Sequence, residues 1–191
     1  MGDAPYPLFV LSDQVDVDYL NSVLQRTADS NDDCFALIPV SILDEKSPYA
    51  CAPRKRWTDD PDPREIVSEG PKTPLPPSYV SSFVGKTLKD CASYLSNSPE
   101  DAAWSIDYFF ALDEHCKNED TILLARAFED RNKGIHAFPA PTTQAVQKMF
   151  SVETSSDFEM KMEAYQNIIK EQGKVDRSIG TPWEFGDSDE D

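Results

Sequence analysis

"SIDYFFALDEHCKNEDTILLARAF", residues 105–128, decides the fold. Two apolar runs, "SIDYFFALD" (105–113) and "TILLARAF" (121–128), read as buried strands because each is short, apolar and bounded by polar residues. A third run, "GIHAFPA" (134–140), follows after the turn "EDRNKG". No helical pattern separates the three, so they are expected to form an antiparallel meander. The connection "DEHCKNED" (113–120) holds a histidine, a cysteine and four carboxylates. Three readings compete for it: a metal site using Asp113, His115 and Glu119, a catalytic Cys116 beside His115, or a polar hairpin loop. Turn residues must satisfy exposed backbone groups, so polarity needs no catalytic cause. Neighbouring side chains in extended backbone also point to opposite faces. The loop reading is the expected one, with substitutions at His115 and Cys116 changing stability little.

Upstream, "YPLFVLSD" (6–13) reads as a first strand, and Val17, Leu20, Val23, Leu24 and Thr27 recur at helical spacing behind an Asp13/Asp16 cap. "CFALIPVS" (34–41) is a second strand. Ser78 is expected to cap a helix carrying Val80, Val84, Leu88, Cys91 and Leu95. After the meander, one helix starts near Thr142-Thr143 and runs through Val146 and Phe150. Another opens with a Ser156-x-x-Glu159 capping box, carries Phe158, Met162, Tyr165 and Ile169, and stops at Gly173. The order β-α-β-α-β-β-β-α-α predicts an α/β (α+β) sandwich with a mixed sheet. Strands separated by helices run parallel through right-handed crossovers. One domain is expected over residues 5–178. Eight prolines between positions 48 and 77 mark an inserted loop that contributes little core, so residues 48 to 75 are expected to be dispensable for folding. Residues 179–191 form an acidic tail, expected to be disordered.

A net charge of −17 opposes nucleic acid or an anionic membrane as partner, since phosphate binding needs clustered Lys and Arg. The basic cluster Arg54-Lys55-Arg56 is followed closely by Asp59, Asp60 and Asp62. Cys34, Cys51, Cys91 and Cys116 include no Cys-x-x-Cys pair, and reduced thiols are expected. No apolar run is long enough to span a bilayer and the N-terminus lacks a basic signal region, so a soluble, cytoplasmic chain is expected.

In open α/β sheets, ligands bind beyond the carboxyl ends of the parallel strands. That edge would offer Asp13, Asp16, Ser41, Asp113, His115 and Thr142 as candidate ligand groups. It is acidic and has no glycine-rich loop, which argues against nucleotide binding. His115 lies past the end of the third strand and His136 at the start of the fifth, roughly 20 Å apart at 3.3 Å per residue, too far to share an ion. No cofactor and no metal is expected, nor any catalytic set.

Residues 105–178 resemble an uncharacterised family shared by bacteria and fungi, number 6924 among the domains of unknown function. The likeness rests on "YFFALDEHCKNEDTILLARAFED", "IHAFPAP" and "FSVETSSDFEMKMEAYQ", with a Gly-Val-Arg-like close at Gly173, Val175 and Arg177. His136 stands where the family tends to have Arg. The resemblance implies one domain plus an insertion and carries no activity. Two functions compete: a non-catalytic binding module for an unidentified protein or small molecule, and a small enzyme using carboxylates and His115 at the carboxyl edge.

Overall fold

A computed structural model describes residues 6–29, 40–42, 74–98, 104–127, 134–155 and 157–178. In chain order come β1 (Tyr6–Val10), α1 (Val17–Asp29), β2 (Val40–Ile42), α2 (Leu88–Ser96) and β3 (Tyr108–Leu112). Then follow the one-turn α3 (Cys116–Glu119), β4 (Thr121–Ala127), β5 (Ile135–Pro141), a 3-10 turn at Thr142–Gln144, α4 (Ala145–Ser155) and α5 (Phe158–Gln172). The strands form one mixed sheet in the order β2-β1-β3-β4-β5. β1 is parallel to β2 and β3, while β4 is antiparallel to β3 and β5. The α/β class and the meander follow the sequence reading, with α3 as the addition.

β1 and β3 are buried at all five positions each, because both of their faces are covered. Alternate residues point to opposite faces. On one, Leu8, Val10, Phe110, Leu112, Ile122 and Leu124 meet α1 through Leu20 and Val23, α4 through Met149 and Val152, and α5 through Phe158. On the other, Phe9, Phe109, Ala111 and Ala125 pack under Leu88, Cys91 and Leu95 of α2 and under Phe83. The Phe9 ring lies 4.6 Å from that of Phe83 and 5.6 Å from that of Phe109. Edge strand β5 carries Pro139 and Pro141, which have no N–H to offer a further strand.

Three expectations change. The second helix is capped by Thr87 and starts at Leu88, nine residues later than a Ser78 cap implies, because Thr87 and Asp90 form a capping box there. Asp90 N–H donates to Thr87 Oγ1 at 3.2 Å and Thr87 N–H donates to Asp90 Oδ2 at 2.7 Å. Just before it Gly85 sits at φ +81, which no helix can continue through, and its N–H donates to Leu11 O at 2.8 Å. Val80 and Val84 are therefore exposed, 78% and 38%, and off the core. The last helix starts at Phe158; Ser156 lies outside the described residues, and Glu159 reaches Arg126 at 2.9 Å.

The third change concerns the proline-rich segment, whose end is part of the core. Leu75 is buried, its N–H donates to Asn21 Oδ1 at 2.7 Å, and Asn21 Nδ2 donates to Leu75 O at 3.4 Å. Residues 48–73, the acidic tail, Arg54 to Arg56, Cys34 and Cys51 lie outside the described residues. Among the described residues, no helix is long and apolar enough to cross a membrane.

Leu75→Ala is therefore expected to cost about 2–4 kcal/mol, as buried Leu truncations do, whereas Val80→Ala should cost less than about 0.5. Urea denaturation of the two variants checks both figures. Equal effects would place the helix start back at Ser78.

Candidate functional site at the carboxyl edge

Beyond Val10 the chain turns into α1 through Ser12–Asp16. Asp16 Oδ1 accepts the Tyr19 N–H at 2.8 Å, which caps α1, and Asp16 Oδ2 pairs with the Lys117 ammonium. The Lys117 bond first, then the Tyr19 N–H, hold the Asp16 carboxyl below its usual range. Two further contacts run from α1 to the β3–β4 connection. The Tyr19 hydroxyl donates to Cys116 O at 2.8 Å, and Arg26 pairs with Asp120. Ion pairs this exposed are screened by water and salt, so they set position more than stability.

The buried centre of the edge is Arg177. Past Gly173, at φ 63, the chain reverses along α5, where Gln166 Nε2 donates to Ser178 Oγ at 3.0 Å. Arg177 then turns inward with its side chain 3% exposed. Its Nη2 and Nε donate to the two oxygens of Asp113 at 2.7 and 3.2 Å. Its Nη1 donates to Glu119 Oε2 and Thr121 Oγ1, both at 2.6 Å, and Nη2 lies 3.3 Å from Cys116 Sγ. Burial opposes the guanidinium charge, but the Asp113 charge and the hydrogen bonds to Asp113 and Glu119 outweigh it and push the pKa up. Bidentate Arg–carboxylate geometry of this kind is the strong form of the charge-assisted hydrogen bond.

Asp113 also organises the loop around itself. Its Oδ1 accepts the N–H groups of His115 at 3.0 Å and Cys116 at 3.1 Å, and the Cys116 thiol at 3.1 Å. Cys116 is fully buried. Burial first, then the Asp113 charge, push its thiol up to about 12. It is a neutral thiol at physiological pH and not an activated nucleophile.

The octapeptide does connect antiparallel strands, but it folds round one helical turn with Cys116 inside. The expectation that Cys116 lies in an exposed loop, where substitution changes stability little, is corrected on that ground. His115 is at the rim, its Nε2 3.6 Å from Glu114 and its side chain 39% exposed. Thr142 is buried, and its N–H and Oγ1 both donate to Asp120 O at 3.2 Å. The fold thus gathers Asp16, Asp113, His115 and Thr142 around α3. Asp13 stays exposed in the turn, and Ser41 lies mid-strand in β2, paired with Pro7. Among the described residues, no group of three or more His, Cys, Asp and Glu is arranged to hold a metal.

Sequence reasoning also missed a polar row at the opposite edge. Tyr108 of β3, Arg126 of β4 and His136 of β5 stand side by side in the sheet register, and Tyr6 at the start of β1 lies close enough to Tyr108 to feel its charge. The Tyr6 hydroxyl donates to Glu153, and Arg126 stacks 5.5 Å from the Tyr108 ring while pairing with Glu159. His136 and His115 thus lie at opposite ends of the sheet. A shallow depression of about 420 Å³, lined by Gly85, Lys86, Asp90, Ser93, Tyr94 and Asn97, adjoins α2 on the other face.

Comparison with known proteins gives no match: no family model, no curated protein and no solved structure is similar to this chain.

Arg177→Ala leaves Asp113, whose side chain is 16% exposed, without its counter-charge and is expected to cost about 2–3 kcal/mol, below the loss for a fully buried pair. Arg177→Lys should recover only part of this, because one ammonium cannot reproduce the fork. A chemical-denaturation series tests both; a loss below about 1 kcal/mol for the alanine variant would show the pair to be dispensable. At the other edge, burial lowers the pKa of His136 from 6.5. The folded chain then binds fewer protons than the unfolded one below that pH, so its stability is intact above pH 6.5 and falls as pH drops through it. His136→Gln should flatten this fall in melts taken across that range, and an unchanged profile would assign the fall to other groups.

Proposed function

We infer that the chain is a non-catalytic binding module that engages another protein through its outer surface. One observation supports this above the rest: where open α/β sheets receive small ligands, the chain's own Arg177 is seated on Asp113 and Glu119. The flanking contacts Lys117–Asp16 and Arg26–Asp120 draw α1 against the same loop. The net charge of −17 favours a basic protein surface over nucleic acid or anionic lipid.

The competing reading is a small enzyme using carboxylates and His115. It needs reactive groups free to meet substrate, yet Asp113 is engaged by Arg177 and the Cys116 thiol is held neutral by burial. Membership of the uncharacterised bacterial and fungal family resembled by residues 105–178, and a cytoplasmic setting, belong to this proposal and assign no reaction.

Two measurements on the full chain separate the readings. A small ligand at 100 times its Kd would stabilise the fold by about 2.7 kcal/mol, roughly a 5–10 °C rise in Tm for a chain of this size. We expect no such shift across a panel of metabolites and divalent metals, and a stoichiometric protein on affinity capture from native lysate. A saturable metabolite shift abolished by His115→Ala would overturn the module reading in favour of the enzyme.

A further inference from the structure

Helix α5 has two apolar sides and the core uses one of them. Phe158 and Ile169 are buried, and Met162 and Tyr165 pack partly against the core, all within one narrow arc of the helix. On a second side, turned roughly 90–170° from the first at 100° per residue, Met160, Ala164 and Ile168 recur every four residues, a stripe roughly 12 Å long at 1.5 Å per residue. Met160 is 67% exposed, Ile168 is 49%, and Ala164 is exposed as well. Single exposed hydrophobic residues need no explanation. Three at i, i+4 and i+8 along one side have the spacing by which helices dock on helices. Glu163 and Glu171 are exposed beside the stripe; of the helix's two lysines, Lys161 is drawn to Asp157 at 3.7 Å and Lys170 lies beyond Glu163, on the side away from the stripe.

We propose that this outer face of α5 docks a basic amphipathic helix of another protein, with an apolar seam on Met160, Ala164 and Ile168 and Lys or Arg over Glu163 and Glu171. The proposal rests on the module reading and names its partner's chemistry. Charge decides among occupants. A second copy would bring −17 against −17, and the chain's own "EFGDSDED" would bring five more acids to an acidic face. A basic helix gains from both the stripe and the field. A contact of this size belongs to the weak, transient class.

The test titrates full-length protein with a synthetic Leu/Lys amphipathic helical peptide. A scrambled peptide of the same composition serves as control, and the Met160→Ser/Ile168→Ser variant keeps the net charge constant. Both positions are exposed, so the variant should melt as the wild type does. Expected is micromolar binding of the amphipathic peptide, at least about tenfold weaker for the variant and for the scrambled peptide, and weakened further by salt. Equal binding by wild type and variant, or equal binding of an acidic peptide with the same seam, overturns the proposal. So does a wild-type dimer in sedimentation that the variant loses. A rise in peptide affinity on Trp183→Ser/Phe185→Ser, which would make the chain's own tail the occupant, overturns it too. Protein capture from lysate by the same variant keeps the two readings apart. A partner retained by the variant refutes the α5 face and leaves the module reading standing, whereas no partner for the wild type refutes the module reading itself.

Discussion

One guanidinium, that of Arg177, decides the state of the whole carboxyl edge. Taking a charge out of water costs several kcal/mol, and the cost is recovered only where geometry and hydrogen bonding are nearly complete. Arg177 meets that condition with two bonds to Asp113, one to Glu119 and one to Thr121. The consequences spread outward through Asp113. The same carboxylate starts α3 by accepting two backbone N–H groups, and it receives the Cys116 thiol, which is thereby held inside. The segment after α5 is likewise placed by this contact, since residues 174–178 have no strand or helix of their own to hold them. Removing the cation would leave a half-buried carboxylate without its counter-charge at the start of one element and an unanchored end of another.

The edge is also closed from the side. Asp16, Tyr19 and Arg26 lie at i, i+3 and i+10, on one side of α1, and all three reach the loop formed by α3 and Asp120. Leu20, Val23 and Leu24 fill the sheet face from the adjoining side of the same helix. One helix therefore supplies both the core packing and the edge contacts. Asp120 adopts φ 52, a left-handed turn that closes α3, and its carbonyl receives Thr142 from the end of β5. Three chain segments converge on a loop of eight residues, which accounts for its polarity without any reaction.

Local signals were legible in the sequence and distant pairings were not. The strands of the meander, the Asp16 cap and the stop at Gly173 depend on residues within a few positions of each other, so pattern and turn chemistry reveal them. The false helix start at Ser78 arose because Val80 and Val84 keep helical spacing across a turn that Gly85 enforces. Leu75 was lost among prolines, although its neighbours on α1 make it part of the core. The Arg177–Asp113 pair spans 64 residues and leaves no periodicity, which is why the sequence offers Asp113 as a ligand group and the octapeptide as a plain polar loop. Arg177 did stand out once, as the end of the family-like segment, and burial of a lone arginine between carboxylates is the physical reason such a position would matter. The row Tyr108, Arg126 and His136 was invisible for a similar reason: register, not sequence distance, makes it a row.

The functional proposal follows from a filled site and a free surface. If Arg177 and Asp113 form the closed edge described, their energies must be strongly coupled, and a double-mutant cycle measures that coupling. Urea denaturation of wild type, Arg177→Met, Asp113→Asn and the double variant gives the four values. The account predicts a coupling energy above about 2 kcal/mol, at the upper end for directly paired residues. Additivity of the two single losses within about 0.5 kcal/mol would contradict it and reopen the carboxyl edge as a site for a ligand.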